Sequence, residues 1–175
     1  MCRGLESLPT LCLEWAKELR AHFGNIRHKQ ELCHFHRTSK QMMASDEPLK
    51  WRESFQDLLS NKHGLCAFSA FLVSEYSAEN MAFYLACEDY INTKSSSKLP
   101  AKARKIYDEF IGSEAPREVN LDHETKNVTK KNLEHPTHSC FDLARSKIYS
   151  LMEKDCYPRF LKSAAYKDLS RQLAG

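Results

Sequence analysis

Residues 74–91 constrain the fold of this chain more than any other stretch, because a polar corner leads directly into an unusually apolar segment. Nine of the eleven residues in 81–91 are apolar or aromatic, and only Glu88 and Asp89 interrupt them. A helix that is apolar around most of its circumference is buried inside a domain. The sequence therefore predicts a central core helix, and the polar residues 75–80 at its entrance are a candidate functional surface.

The chain after residue 46 is predicted to be helical throughout. Apolar residues recur at intervals of three and four, as at Ala103, Ile106, Phe110 and Ile111, and no segment shows the alternation of a half-buried strand. Short helices joined by tight loops pack as bundles. We therefore expect an all-α domain built as a bundle, with a second cluster made from the two ends of the domain.

Local signals place several helix boundaries. Ser77 is predicted to cap the core helix, and Asp122 is predicted to cap the helix that follows it. Asp155 is predicted to cap a short helix with Pro158 in its first turn, where the missing N–H costs no intrahelical hydrogen bond. One uninterrupted helix is predicted over residues 46–59.

Composition and charge narrow the class of protein. The chain is 42% hydrophobic and 28% charged with only five Gly and six Pro, which is typical of a globular helical domain. Seven of the 26 basic and four of the 23 acidic residues lie in residues 1–45, so the net charge of +3 belongs to that segment. Cys66, Cys87 and Cys140 lie in apolar helical patterns, and the total of seven cysteines is odd. We therefore expect reduced thiols and an intracellular protein without a signal peptide or membrane span.

Residues 1–27 are predicted to form an amphipathic helix that binds a membrane. Its apolar residues share one face and its basic residues occupy others, which suits an anionic lipid surface. Docking of this helix on its own domain is the alternative. The predicted membrane face is Leu8, Leu11, Trp15, Leu19 and Phe23, and the candidates for reversible acylation beside it are Cys2 and Cys12.

Residues 28–46 are predicted to be a linker, because they are polar and show no periodicity. Cys33, His34 and His36 lie within it, but their spacing matches no structural zinc pattern and no second paired cluster follows. We therefore expect no metal site.

The sequence contains no familiar catalytic motif. It has no Gly-rich phosphate loop, no Gly-x-Ser-x-Gly, no metalloprotease histidine pair and no Asp-rich calcium loop. An enzyme that uses the scattered Cys and His residues remains an alternative. Polar groups concentrate instead in residues 75–80, 118–122 and 155–159, and helix capping does not account for Asn80 or Asn120. We expect these three corners to converge at one end of the bundle.

Four motifs at and around these corners resemble the regulator of G-protein signalling domain. They are Glu-Tyr-Ser-x-Glu-Asn at 75–80, Ala-Cys-Glu-Asp-Tyr at 86–90, Ala-Pro-Arg-Glu-Val-Asn-Leu-Asp at 115–122 and Leu-Met-Glu-Lys-Asp-x-Tyr-Pro-Arg-Phe-Leu-Lys-Ser at 151–163. The resemblance implies a domain over residues 47–175 with about nine helices, arranged as a four-helix bundle subdomain plus a terminal subdomain.

The resemblance also implies a function. Such a domain binds the α subunit of a heterotrimeric G protein, of the Gi/o and Gq classes, in its transition-state form and accelerates its GTP hydrolysis. It is not itself the enzyme, because the α subunit supplies its own Arg finger and water-orienting Gln. The residues expected to contact the α subunit are Glu75, Tyr76, Ser77, Glu79, Asn80, Asn120, Leu151, Asp155 and Arg159.

Further expectations follow from the same resemblance. Cys87 matches an additional acylation position inside the domain. The chain would be a monomer at the cytoplasmic face of the plasma membrane, with no cofactor and no nucleic-acid partner. Ala78 and Ala82 stand where the family usually has acids, and Cys156 stands where serine is usual. The missing acids leave open a second function, in which the fold is a scaffold that docks partners without accelerating hydrolysis.

Overall fold

The computed structural model of the chain describes the backbone of residues 47–174 and the side chains of residues 50–171. The predicted amphipathic helix and linker, with Cys2, Cys12 and the membrane face, lie outside the described residues. Within residues 47–174 every regular element is helical and no strand is present, which confirms the all-α class. No helix in this part of the chain is long and apolar enough to cross a membrane.

Nine α-helices, one 3₁₀ turn and one π-helical turn make up the described backbone. They are α1 (Glu47–Glu53), α2 (Phe55–Ser60), α3 (Lys62–Ser74), α4 (Ala78–Ile91), the 3₁₀ turn (Ser96–Lys98), α5 (Leu99–Phe110), α6 (His123–Asn132), α7 (Asp142–Leu151), the π-helical turn (Met152–Cys156), α8 (Tyr157–Lys162) and α9 (Ala164–Ala174).

These helices form two compact units. The bundle unit, Ser77–Met152, contains the four helices α4–α7. The terminal unit consists of the chain up to Tyr76 together with Glu153–Gly175, and its described part contains α1–α3, α8 and α9. The expected four-helix bundle subdomain and terminal subdomain are thereby confirmed.

The core of the bundle unit is centred on α4, as predicted. Met81, Phe83 and Tyr90 have no solvent exposure. The Phe83 ring lies 5.5 Å from Phe110 of α5 and 6.4 Å from Phe141, and Tyr90 lies 5.2 Å from Phe141, in edge-to-face contacts. Such aromatic pairs add to the stabilisation from buried apolar area, so α4 packs against α5 and against the start of α7.

An aromatic core also holds the terminal unit together. The Phe68 ring of α3 lies 5.3 Å from Phe55 of α2 and 5.4 Å from Phe160 of α8. The Tyr157 hydroxyl donates a hydrogen bond to the Trp51 carbonyl oxygen at 2.5 Å, 106 residues away in sequence. The two ends of the domain are therefore joined directly by side-chain packing and a hydrogen bond.

The prediction of one helix over residues 46–59 is wrong, because Ser54 interrupts the helix: α1 ends at Glu53 and α2 begins at Phe55. This residue has extended backbone angles, φ −149° and ψ 132°, and its hydroxyl accepts a hydrogen bond from the Asp57 N–H at 3.2 Å. A serine that satisfies a first-turn N–H starts a new helix in place of continuing the previous one. The apolar spacing continues across this break, so periodicity alone did not reveal it.

Two of the predicted caps occupy N-cap positions, but only one makes the capping bond. The Asp122 carboxylate accepts from the Thr125 N–H at 2.9 Å and from the Thr125 hydroxyl at 2.7 Å. These bonds lower the pKa of Asp122 to about 2. Ser77 holds the N-cap position of α4, but its side chain makes no capping hydrogen bond to the helix.

The predicted cap at Asp155 is wrong. Asp155 lies inside the π-helical turn Met152–Cys156, and the following residue, Cys156, has helical backbone angles of φ −70° and ψ −42°. Because the helix continues without an extended residue at this point, Asp155 has no N-cap role. Its carboxylate pairs with Arg159 instead.

The expectation of reduced thiols is confirmed in part. Cys87 and Cys140 are free and buried. Cys156 is also free and buried.

Candidate functional site

The terminal unit carries a cluster of three charged side chains, Glu75, Asp155 and Arg159, which we call the Arg159 cluster. One terminal nitrogen of the Arg159 guanidinium lies 2.6 Å from Asp155 Oδ2. The other donates to Glu75 Oε2 at 2.7 Å, and Nε lies 3.3 Å from both Glu75 oxygens. Hydrogen bonds first to Glu75 and then to Asp155 raise the pKa of the Arg159 guanidinium.

The ion pairs of the Arg159 cluster orient its carboxylates more than they stabilise the fold. Its side chains are partly exposed, Asp155 by 58% and Arg159 by 46%, and exposed ion pairs contribute little to the free energy of unfolding. A guanidinium that binds two carboxylates nevertheless orients both through its planar geometry. Among the described residues nothing donates to Asp155 Oδ1. That oxygen is therefore held in place and available to an outside donor.

Tyr76 stands beside this cluster at the end of α3. It is 95% exposed, and its backbone has a φ of 55°, in the left-handed region that disfavours residues with a β-carbon. Its N–H donates to the Val73 carbonyl oxygen at 3.1 Å, which closes the end of the helix. A strained backbone that presents a whole aromatic ring to solvent is typical of a binding surface.

In the bundle unit, Asn80 is a buried polar residue in the first turn of α4. The residue as a whole is only 6% exposed, but its amide atoms are not among the buried, unpaired side-chain atoms of the described residues, so the amide reaches solvent. A polar group at the edge of a packed helix can exchange water for the groups of a partner at little cost in free energy. The amide is therefore positioned to bind a group from outside the chain. Ser77 and Glu79 lie beside it and are half-buried.

Asn120 is presented differently, from an exposed position between two buried apolar residues. Val119 and Leu121 on either side are 1% and 8% exposed. The Val119 N–H donates to the Phe110 carbonyl oxygen at 3.0 Å. These contacts hold the backbone of the loop between α5 and α6, so the Asn120 side chain projects from a fixed position.

Arg117 anchors the same loop a second time. Its N–H donates to the Glu109 carbonyl oxygen at 3.1 Å, and its Nε donates to Glu109 Oε1 at 2.8 Å. The guanidinium also lies 5.2 Å from the centre of the Phe110 ring, within the range of a cation–π contact. The loop that carries Asn120 is thus attached to the end of α5 through both backbone and side chains.

The structure directly joins only some of the predicted contact residues. Hydrogen bonds connect Glu75, Asp155 and Arg159 within the terminal unit. Leu151 is the last residue of α7 in the bundle unit and is half-buried. The convergence of the three corners stays a prediction.

The sequence reasoning did not anticipate the supporting groups. The ion pair between Arg159 and Glu75 spans 84 residues, and no local pattern indicates it. The anchoring of the Asn120 loop has a signal that was available: the order Val119, Asn120, Leu121 places one polar residue between two apolar ones. That alternation indicates an extended segment whose apolar side chains are buried on one face and whose polar side chain is exposed on the other.

Cys87 lies in the core of α4 with no solvent exposure. Burial also raises the pKa of its thiol well above the usual value. Acyl transfer needs an accessible thiolate, so acylation at this position would require α4 to open. Acylation of Cys87 stays a prediction that the folded geometry does not favour.

Comparison with known proteins agrees with this architecture. A sequence model of the family described as "Regulator of G protein signaling domain" matches residues 54–169. "Regulator of G-protein signaling 16" of Rattus norvegicus is 50% identical over 182 residues, which cover 98% of this chain and 92% of that protein. "Regulator of G-protein signaling 5" of Sus scrofa is 48% identical over 178 residues, which cover 96% and 98%. The chain therefore belongs to the regulator of G-protein signalling family.

Proposed function

We propose that this protein accelerates GTP hydrolysis by heterotrimeric G-protein α subunits of the Gi/o and Gq classes and so terminates receptor signalling. The domain cleaves no GTP itself. The α subunit supplies the Arg finger and the Gln that orients the attacking water. The domain binds the mobile switch segments of the α subunit in the geometry of the transition state, and this preorganisation lowers the barrier.

The observation that carries the proposal is the match of residues 54–169 to the regulator of G-protein signalling family, and the accessible amide of Asn80, held by a largely buried residue, supports it. A switch segment supplies backbone and side-chain groups that satisfy such an amide on binding. The fixed loop of Asn120 supports the same conclusion, because a side chain that stabilises a transition state acts best when it does not have to be ordered first. Asn120 would contact the switch segment beside the catalytic Gln.

The Arg159 cluster provides a second set of contacts. Asp155 accepts hydrogen bonds from a threonine hydroxyl and a backbone N–H of a switch segment, and Arg159 holds Asp155 for that purpose. Support comes from the free Oδ1 atom of Asp155 and from the 2.6 Å ion pair that orients the carboxylate. Glu75, Tyr76, Ser77, Glu79 and Leu151 complete the contacts in our proposal.

The N-terminal segment recruits the protein to the inner face of the plasma membrane. Its sequence supports this role through the apolar face from Leu8 to Phe23, the excess of basic residues and the flanking cysteines, Cys2 and Cys12. In this proposal the protein is a monomer that meets the α subunit at the membrane.

The alternative function, a scaffold without accelerating activity, rests on Ala78 and Ala82. Ala82 is only 1% exposed. A side chain at a buried position contributes less to the surface charge than an exposed one, so the alanine there removes little from a binding surface. The alternative is therefore less well supported than acceleration, and the following experiment separates the two.

A single-turnover assay measures hydrolysis of GTP preloaded on a purified α subunit, with and without the full chain. We expect faster hydrolysis with α subunits of the Gi/o or Gq class and no turnover by the chain alone. Binding without acceleration would support the scaffold. Absence of both binding and acceleration with either class would overturn the proposal.

A further inference from the structure

The loop between α5 and α6, which carries Asn120, folds back onto the end of α5. A turn begins this reversal: the Ala115 N–H donates to the Gly112 carbonyl oxygen at 3.1 Å. Glu114, the third residue of the turn, has a φ of 64°, and a type II turn requires a positive φ at that position. The turn reverses the direction of the chain, so residues 117–119 return to α5.

The returning backbone binds carbonyl groups at the end of α5. The last four carbonyls of an α-helix have no partner within the helix. The Glu109 carbonyl oxygen accepts from the Arg117 N–H at 3.1 Å, and the Phe110 carbonyl oxygen accepts from the Val119 N–H at 3.0 Å. A backbone hydrogen bond contributes little net free energy, because water replaces it when the loop opens. These two bonds alone therefore hold the loop weakly.

The side chain of Arg117 adds a stronger attachment at the same place. Its Nε donates to Glu109 Oε1 at 2.8 Å, and the two side chains are only 22% and 17% exposed. Water and salt screen a partly buried pair less than an exposed one. The guanidinium also lies 5.2 Å from the centre of the Phe110 ring, at the C-terminal end of α5. Both the ring and the helix dipole favour a cation there.

We infer that Arg117 is a positioning residue: it holds the loop between α5 and α6 closed, so that Asn120 meets the α subunit already ordered. The inference rests on the proposed function, in which Asn120 contacts a switch segment. Without the guanidinium the loop opens more readily, and part of the binding free energy is then consumed in ordering it. Arg117 contacts no reacting group in this account and acts only through Asn120.

This role predicts a loss of affinity without a loss of maximal rate, because Asn120 occupies its usual place once the complex has formed. The test is a single-turnover hydrolysis assay at increasing concentrations of the full chain. We expect Arg117→Met to need about tenfold more protein for half-maximal acceleration and to reach the same plateau. Asn120→Ala, by contrast, should lower the plateau itself. The inference is overturned if Arg117→Met lowers the plateau as much as Asn120→Ala, or if its half-maximal concentration is unchanged.

Arg145→Met is the matched control. Arg145 of α7 forms an ion pair of the same kind with Glu88 of α4 in the same unit, and its side chain is 33% exposed. None of its hydrogen bonds or ion pairs in the described part of the chain reaches the loop between α5 and α6. We therefore expect an unchanged half-maximal concentration. An equal shift in Arg145→Met and Arg117→Met would overturn the inference, since the loss of any ion pair would then have the same effect.

A double-mutant cycle shows whether Arg117 acts through Asn120. In a chain that already carries Asn120→Ala, adding Arg117→Met should not shift the half-maximal concentration further. A second shift of about tenfold would overturn the inference, because the two residues would then act independently. Glu109→Gln weakens the same ion pair while it keeps a hydrogen-bond acceptor, and it should reproduce the shift of Arg117→Met even if that variant folds poorly. An unchanged half-maximal concentration in a folded Glu109→Gln would also contradict the inference.

Amide hydrogen exchange of the free chain gives a readout that needs no partner. The Val119 N–H is bonded to the Phe110 carbonyl oxygen when the loop is closed, so its exchange reports loop opening. We expect Arg117→Met to accelerate this exchange about tenfold and to leave the amides in the middle of α6 unchanged. Unchanged exchange at Val119 would overturn the inference. If the unsubstituted chain does not accelerate hydrolysis, the proposed function fails, and the exchange rates still decide whether Arg117 holds the loop.

Discussion

The two units present their polar groups in opposite ways. In the terminal unit, Arg159 pairs with Glu75 and Asp155, so that the charged groups orient one another. In the bundle unit, Asn80 and Asn120 are neutral amides whose positions are set by apolar packing and by loop anchors. The comparison distinguishes two ways of orienting polar groups toward a partner. In one, charged side chains pair with each other, and in the other, the surrounding packing holds neutral side chains in place.

This difference predicts different consequences of substitution. Loss of a charge that orients its neighbours disturbs several groups at once. Loss of an amide supported by packing removes a single contact and leaves the surroundings unchanged. Measurements of affinity, of hydrolysis rate and of stability should therefore separate the two surfaces.

The largest effect is expected from Asn120→Ala in the bundle unit. By analogy with the removal of one donor that stabilises a transition state, we expect the acceleration of hydrolysis to fall about a hundredfold. The anchors of the loop are untouched, so the melting temperature should stay the same. Asn127→Ala, at an exposed position of α6, is the control and should keep full activity. Equal activity of the two variants would show that the Asn120 loop does not contact the switch segments.

Arg159→Ala should have the next largest effect. It leaves Glu75 and Asp155 without the cation that orients them, and we expect affinity for the transition-state form to fall about tenfold. The fold should persist, because exposed ion pairs contribute little to stability. The control is Lys162→Ala, which removes a positive charge from the same helix. If Lys162→Ala weakens binding as much as Arg159→Ala, the effect is one of net charge and the cluster has no orienting role.

Asn80→Ala should separate stability from function. The polar atoms of the amide reach solvent, so its removal should change the free energy of unfolding by no more than about 1 kcal/mol. Binding to the α subunit should weaken at the same time. Urea denaturation and a binding titration on the same preparation measure both quantities. A clear loss of stability would mean that the amide is satisfied within the chain, contrary to our account.

The smallest expected effect is a change of stability with pH, caused by the Asp122 carboxylate that caps α6. The pKa of Asp122 is lowered from 3.8 to about 2, chiefly by hydrogen bonds from Thr125. A carboxylate with a lowered pKa in the folded state stabilises the fold above its unfolded pKa, and this stabilisation disappears as the pH falls from about 4 towards 2. The urea midpoint of the unsubstituted chain should therefore exceed that of Asp122→Asn at pH 6, and the two should converge near pH 2.

Asp108→Asn is the control for the removal of one negative charge, because Asp108 is exposed inside α5 and caps no helix. A difference between the unsubstituted chain and Asp122→Asn that persists undiminished at pH 2 would contradict the assignment of the carboxylate as the stabilising group.

The sequence was sufficient to predict elements whose information is local. The apolar run of 81–91 predicted the core helix, because it is buried on most sides. The spacing of Ala103, Ile106 and Phe110 predicted the buried face of α5, and Ile111 is buried directly after its end. The capping role of Asp122 was also predictable, since the capping carboxylate and the N–H that donates to it are three residues apart.

Features that depend on distant packing were not predictable. The pair between Glu75 and Arg159 forms only when α3 and α8 pack together, and the lack of an internal partner for Asn80 depends on every residue around it. The π-helical turn was missed for a different reason. A proline after an aspartate suggests an ordinary helix start, whereas here the preceding helix continues and widens. Local signals did not distinguish these two outcomes.

The central claim is that the domain recognises the transition-state form of a G-protein α subunit, and calorimetric titration tests it most directly. The full chain is titrated with one α subunit in two states, loaded with GDP alone and loaded with GDP and aluminium fluoride. Our account predicts binding at least about a hundredfold tighter in the second state, a difference of about 2.7 kcal/mol. Equal affinity for the two states would contradict it, because a domain that binds both states equally cannot lower the barrier to hydrolysis.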